Sequence, residues 1–484
     1  MWFRSDLRVH DNPALYHAMQ QGDTLAVYFA PIEQWQRHNL ATVKQDLILR
    51  QVLLLQKQLA ELNVPLMVLA ETDFDNLAIN LSNWVAENNI HHVFFNHEYE
   101  WNEDQLTQLV CAKLSAKGVK TSAYHDQCMI APGDIRNKQG GFYKVFTAFK
   151  NAYFADMHEK SRPLYPKPQK QNKLNIASDV SVVDESIQQV TKEVSAQQLQ
   201  VWRELWIAGE NLALEQLDSF IEDGIDHYHE TRDIPSIEGT SKLSMYLAIG
   251  AISTRQCFQG AVSKPNGLDN TGCKTWAVEL IWRDFYRHLM AAFPEICRYK
   301  PFKAHTDQLP WKQDDGLFKA WCEGKTGFPI VDAAMQQLNQ TGWMHNRLRM
   351  VTAMFLTKHL FVDWRLGEQY FMSKLVDGDL ASNNGGWQWS ASTGVDAVPY
   401  FRIFNPTRQS QRFDENGYFI RRYLPQLAKL DDKSIHQPNA LQAKQCGYPL
   451  PIVDHKTSVA ETKTHFKQLS ERETDPLFRE YGLS

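Results

Sequence analysis

Residues 377–404, DGDLASNNGGWQWSASTGVDAVPYFRIF, hold the side chains best suited to chemistry in this 484-residue chain. Asp377-Gly378-Asp379 offers a carboxylate at a helix start, and the residues after it predict a short helix. On that helix Asp379, Asn383, Gly386 and Trp387 fall on one face at the i, i+4, i+7, i+8 spacing. The face presents an anion, an amide, bare backbone and an indole. Each glycine of the Gly385-Gly386 pair weakens a helix by about 1 kcal/mol, which is explained if a ligand lies close against the backbone. The polar neighbours make that ligand a flat, hydrogen-bonding heterocycle. A glycine-weakened core helix is the plainer alternative, but an inward Asp and Asn need partners that an apolar core does not offer.

Upstream, TGWMHNRLRM (341–350) opens a second helix. One of its faces carries Asn346, Arg349 and Ala353 and the adjacent one carries Arg347, Met350 and Met354, so the helix has two jobs.

The elements that must position these groups span the chain. Its length exceeds one ordinary core and predicts two or three domains. No apolar run reaches the roughly 18 residues of a membrane span, and no signal segment precedes the first motif, so a soluble, cytoplasmic protein is expected. Cysteines 111, 128, 257, 273, 297, 322 and 446 never form C-x-x-C, which argues against zinc, an iron–sulfur cluster or a disulfide framework. The cofactor chemistry is then organic and no metal is expected. The net charge is −5, yet residues 276–425 hold 18 Lys/Arg against 15 Asp/Glu, a balance of +3 that leaves −8 for the rest, so the charges are segregated along the chain.

Residues 1–130 alternate apolar runs at 24–30, 65–70 and 91–96 with amphipathic stretches at 47–62, 76–88 and 104–118. That rhythm predicts an α/β domain with a doubly wound, Rossmann-like parallel sheet. It contains no G-x-G-x-x-G, so a tightly held dinucleotide is not expected there. Residues 131–200 read as an interdomain linker, and within it 155–200 is rich in Pro, Lys, Gln and Ser and lacks periodicity. Helical patterns then succeed one another over 201–470, an all-α domain.

The words WFRSDLRVHDNPAL (2–15), EGTSKLS (238–244) and WAVELIWRDFYRHL (276–289), with the two stretches above, closely resemble the photolyase/cryptochrome flavoproteins. Within that family they resemble the class I cyclobutane pyrimidine dimer photolyases. The resemblance covers nearly the whole chain and weakens near 155–200 and after about 460. It implies an antenna-binding α/β domain, a helical FAD-binding catalytic domain, and light-driven splitting of pyrimidine dimers by reduced FAD. Relatives begin their first strand several residues before WFR, so a shortened strand is expected here.

The resemblance also assigns residues. FAD contacts would come from Tyr228, Thr240, Ser241, Lys242, Leu243, Ser244, Trp276, Arg283, Asn346, Arg349, Asp377, Asp379 and Asn383. Arg349 would pair Asp377, and Asn383 would face flavin N5. Of the fourteen tryptophans, each otherwise a plain core aromatic, Trp387, Trp364 and Trp311 would form an electron relay. Trp282, Trp389 and Met350 would line the dimer pocket, Glu279 and Asn346 would bond the base edges, and Arg232, Arg347 and Arg402 would hold phosphates. Glu279 lies three residues before Trp282 on one helical face; it is either a protonated donor to a thymine carbonyl or an acid stabilising the helix dipole. His38, Asn102, Glu103 and Cys297 match a folate antenna site, with Arg298 where lysine is usual and an unusual Trp101. The antenna expected is 5,10-methenyltetrahydrofolate rather than a deazaflavin.

The partner implied is UV-damaged DNA, single- or double-stranded, met by a monomer without membrane or metal. A (6-4) photolyase or a cryptochrome photoreceptor is the alternative on the same scaffold, and a flavin electron carrier without a DNA role is a third. Asn346 stands where (6-4) enzymes place a catalytic histidine, and no long signalling tail is expected, which favours dimer repair.

Overall fold

The computed structural model of the chain describes residues 1–474. They form two compact units: Met1–His229 with Ser241–Pro294 and Val376–Ala381, and Glu230–Thr240 with Glu295–Leu375 and Ser382 onward.

In the first unit, β1 (Trp2–Phe3), β2 (Ala26–Pro31) and β3 (Leu66–Glu71) make a parallel sheet in that order, with Val27 opposite both Trp2 and Met67. β4 (His92–Asn96) pairs in parallel with β5 (Lys120–Tyr124). Helices Pro13–Gln21, Thr42–Glu61, Phe74–Glu87 and Trp101–Ala116 alternate with the strands, which is the βαβ rhythm expected. β2 is buried at every position, and a strand covered on both faces reads as a continuous apolar run. Side-chain caps set the helix starts: Asn12 accepts from Leu15 N (3.1 Å) with Pro13 at the first position, and Asp73 accepts from Asn76 N (3.0 Å). β1 is short, as expected. Its Trp2 ring packs 5.4 Å from Phe95 of β4 in a core shared with Phe29, Leu81 and Leu106.

The 155–200 segment is more ordered than its composition suggests. Val68 N donates to Asp179 O (2.8 Å) and Asp179 N to Leu66 O (2.9 Å), which adds this segment to the β3 edge ahead of a helix at Val182–Thr191. Such pairing uses backbone atoms, so side-chain composition does not report it. The long helix Thr271–Ala292 is capped by Asn270, which accepts from Cys273 N (3.0 Å). A side chain at Gly272 would collide with the Ile225 and Asp226 carbonyls.

The second unit is built of helices. Pro329–Thr341 ends at Gly342, whose φ of +73° suits glycine. Asn346–Lys358 starts at a His345 cap, and Trp364–Met372 and Leu380–Ala391 come after it. Their core gathers Trp321, Phe355, Leu356, Phe371 and Trp387. Among the described residues no helix is long and apolar enough to cross a membrane.

Candidate functional site

Asp379 directly precedes the helix Leu380–Ala391, as the sequence predicts. Asn383 is half-buried, and its Nδ2 donates to Glu368 O (3.0 Å), which makes its oxygen the atom suited to a ring N–H. A Cβ built at Gly386 meets nothing within 4 Å, so the backbone there can take a flat ring against it. Trp387 is 2% exposed and is met edge-on by Phe371 (5.0 Å) and Trp321 (5.9 Å). Gly367 is required beneath it, because any Cβ there would strike the Trp387 indole. The polar support behind this face belongs to no motif in the sequence. Asn384 donates to Glu368 Oε1 (2.8 Å) and accepts from Gln388 Nε2 (2.9 Å). Burial pushes the Glu368 carboxyl up to about 7 against the Asn384 hydrogen bond. The i, i+4 spacing of Asn384 and Gln388 was the available signal.

The turn 377–379 is fastened within the first unit by two cations. Lys44 Nζ donates to Gly378 O (2.6 Å), and Arg287 pairs with Asp379. Burial lowers the Lys44 pKa while Asp379 and Asp377 oppose it. Arg287 is 2% exposed, and its Nε and Nη1 find no partner among the described residues. It lies four residues after Arg283 and so shares its helical face, a signal the sequence did contain. Arg283 itself donates to Gln127 O and to Thr254 Oγ1 (2.9 Å) and pairs with Asp284 (3.6 Å). Tyr228 and Trp276 flank Phe220 at 5.8 and 5.1 Å. Lys242 adopts φ +51°, Leu243 is buried, and Ser241 O accepts from Gln216 (3.2 Å). Ser244 opens a helix of only six residues, and Thr240 is half-buried. Within the second unit the buried Trp387 indole N–H, without a partner among the described residues and next to the bare Gly386 backbone, fits a flat polar heterocycle such as the ring of FAD.

Glu279 and Trp282 are half-buried on the Thr271–Ala292 helix of the first unit. In the second unit Asn346 is exposed at its helix start, Met350 and Trp389 are half-buried, and Arg402 is exposed. Arg349 Nε donates to Met344 O (2.8 Å). Asp233, which the sequence reading passed over, binds Arg347 through both oxygens (2.7 and 3.2 Å) and lies 3.9 Å from Arg232. Burial lowers His345 to about 4, so it stays neutral and Nδ1 accepts from Arg347 N (3.2 Å). Trp364 and Trp311 are both buried, with the Arg365 guanidinium 5.1 Å from the Trp364 ring and Phe361 4.8 Å from Trp311. Trp321 is a further buried indole against Trp387, and its N–H donates to Thr352 O (3.1 Å).

The antenna residues of the first unit converge. His38 Nδ1 lies 3.5 Å from Glu103 Oε1, and its Nε2 is bonded by Asn102 (2.9 Å) and Gln34 (2.8 Å). Burial, then repulsion from a neighbouring carboxylate, pushes Glu100 and Glu103 up to about 7. Glu100, which directly precedes the Trp101–Ala116 helix, and Gln34 were missed because neither belongs to a recognisable motif. Cys297 is half-buried in the second unit, where exposed Arg298 pairs with Glu295 (3.5 Å).

Residues 1–169 match the family model described as DNA photolyase, and residues 276–468 match the FAD binding domain of DNA photolyase. The deoxyribodipyrimidine photo-lyase of Vibrio cholerae is 45% identical over 94% of this chain and 96% of its own. That of Escherichia coli is 42% identical over 96% and 97%. Among solved structures, a class III photolyase from Agrobacterium tumefaciens superposes with a TM-score of 0.85 at 32% identity, covering 97% of each chain. The cryptochrome of Synechocystis superposes with 0.82 at 27%, covering 96% of this chain and 98% of its own. Identity of this order, sustained from end to end across both the α/β and the helical parts, means that the chain belongs to the DNA photolyase family.

Proposed function

We propose that the chain is a light-driven DNA repair enzyme, a deoxyribodipyrimidine photo-lyase that flips cyclobutane pyrimidine dimers out of DNA and splits them. The observation that carries this reading is near-full-length similarity to enzymes of that name. When bound, reduced FAD excited by light supplies the electron that opens the dimer, so no protein nucleophile is needed. The protein's own part is binding and orientation. Tyr228, residues 240–244, Trp276, Arg283, Asn346, Arg349, Asp377, Asp379 and Asn383 hold the flavin, and the oxygen of Asn383 accepts from its ring. Trp282, Trp389 and Met350 stack on or wall in the extruded bases, Glu279 and Asn346 bond their edges, and Arg232, Arg347 and Arg402 take the flanking phosphates. Trp311, Trp364 and Trp387 pass electrons inward to restore the reduced cofactor.

In this reading His38, Asn102, Glu103, Cys297 and Arg298 hold 5,10-methenyltetrahydrofolate as the antenna, and residues 1–130 form the antenna domain. The enzyme works as a monomer in the cytoplasm on single- or double-stranded DNA. The cryptochrome of Synechocystis shares the fold, which keeps light sensing as a second reading. Enzyme with reduced flavin, mixed with UV-irradiated DNA, should remove its dimers under near-UV or blue light and leave them in darkness. Equal removal in darkness, or none in light, would end the first reading.

A further inference from the structure

One face of Trp282 is already covered by protein. Phe146 lies flat over it, ring centroids 3.4 Å apart and planes 8° from parallel. Phe285 meets the indole edge-on at 5.7 Å and Tyr286 lies beside it at 5.6 Å. Phe146 is 6% exposed while Trp282 stays half-buried. An indole offers two faces for stacking, and with Phe146 on one of them only the other can receive a base.

Phe146 is held there by its helix. It opens the helix Phe146–Glu159, in which Phe146, Phe149 and Tyr153 share one face at the i, i+3, i+7 spacing. That face is bolted to the Thr271–Ala292 helix. The Tyr153 hydroxyl donates to Asp284 Oδ2 (2.5 Å), and Phe149 packs on Phe285 (5.1 Å) and edge-on to His288 (5.0 Å). Asp284 is fully buried and also accepts from Met129 N (2.9 Å), so the bolt itself is fixed. Burial, then Asp284, raises the Tyr153 pKa well above its ordinary value and keeps the hydroxyl a donor.

We propose that Phe146 is a positioning residue for damage recognition: it backs Trp282, fixes the plane of the indole, and reserves the opposite face for a base of the flipped pyrimidine dimer. This rests on the reading of Trp282 as the dimer-stacking residue and deepens it. An indole already immobilised in the free enzyme loses little freedom when a base arrives, whereas one able to tilt would give up part of the stacking contact. Undamaged duplex extrudes no base into the pocket, so its binding does not draw on Phe146.

The test compares holoenzymes carrying Phe146→Leu, Phe146→Tyr, Trp282→Ala and the double variant Phe146→Leu/Trp282→Ala. Their equilibrium affinities are read on an oligonucleotide with a single thymine dimer and on its undamaged twin. Phe146→Leu should weaken binding of the damaged strand by about tenfold, with undamaged binding and flavin absorption unchanged. Phe146→Tyr should restore the affinity, and Phe146→Leu should cost nothing more once Trp282 is already alanine. An equal loss in the Trp282→Ala background, or an equal loss for both DNAs, would show that Phe146 acts through the fold and would overturn the proposal. If Trp282→Ala itself left discrimination intact, it is the reading of Trp282 that would fall.

Discussion

Replacing Asp379 by Asn should destabilise the protein more than any other isosteric change near the candidate site, because it strands a buried cation. The Arg287 side chain is 2% exposed and the Asp379 side chain 15% exposed, and Asp379 is the principal counter-charge of both Arg287 and Lys44. Asn keeps the shape and can still accept a hydrogen bond, but it removes the charge. Breaking one side of a buried ion pair costs about 3–5 kcal/mol, and because Asp377 and Glu100 also act on these cations the lower end, about 3 kcal/mol, is expected. Arg287→Met leaves a carboxylate with some solvent access and Lys44 still near, so its cost should be smaller, about 1–2 kcal/mol. Joined, the two changes remove both partners, and their sum should fall short of additivity by about 2 kcal/mol. Urea unfolding of flavin-free protein, monitored by circular dichroism, measures all three without a contribution from cofactor binding. A cost under about 0.5 kcal/mol for Asp379→Asn, or strict additivity, would refute the reasoning.

Trp387→Phe should abolish light-driven reduction of the flavin while chemically pre-reduced enzyme still repairs near its normal rate, and Trp311→Phe should act alike; bleaching of flavin absorption reports it, and wild-type photoreduction in both would make these indoles ordinary core residues. Arg347→Ala should weaken damaged and undamaged DNA alike and reduce the salt slope by about 1, whereas Asp233→Asn, by releasing Arg347, should tighten both; a loss confined to damaged DNA would contradict the phosphate role. Glu100 and Glu103 are held near 7 in the fold against an ordinary 4.5, so the native state keeps protons that the unfolded chain has released. Stability should therefore fall as pH rises from about 4.5 to about 7 and level off above, with Glu103→Gln flattening the fall in thermal midpoint; a rise across that window would refute it. In protein loaded with folate, Glu103→Ala should also lose near-UV absorption beyond that of the flavin, and an unchanged spectrum would remove that site.

The strands at 26–31, 66–71 and 92–96 were legible because each is an apolar run between amphipathic stretches. β5, KTSAY, escaped notice because its side chains are half-buried or exposed and form no apolar run. The helix after Asp379 announced itself through composition, since Asn, Gly and Trp at helical spacing make little sense in an apolar core. What sequence spacing could not supply was partnership at long range. Asp233 and Arg347 lie 114 residues apart, and Lys44 reaches Gly378 across 334. Phe146 and Trp282 are likewise remote from each other in the chain, and their stacking comes from the way two helices are bolted by Tyr153 and Asp284. Periodicity describes what one helix presents to its surroundings and is silent about what it meets there.

In the proposed function the chain binds and orients a pyrimidine dimer for a photoexcited reduced flavin and contributes no covalent chemistry of its own. The most direct test of that function uses two oligonucleotides, one with a single cyclobutane thymine dimer and one with a single (6-4) product, each mixed with reduced holoenzyme and resolved chromatographically after blue or near-UV illumination and after an equal time in darkness. The account predicts intact thymines from the cyclobutane dimer in the light and no change in the other three samples. Repair in darkness, repair of the (6-4) product, or an unaltered cyclobutane dimer under light with FAD bound would contradict it.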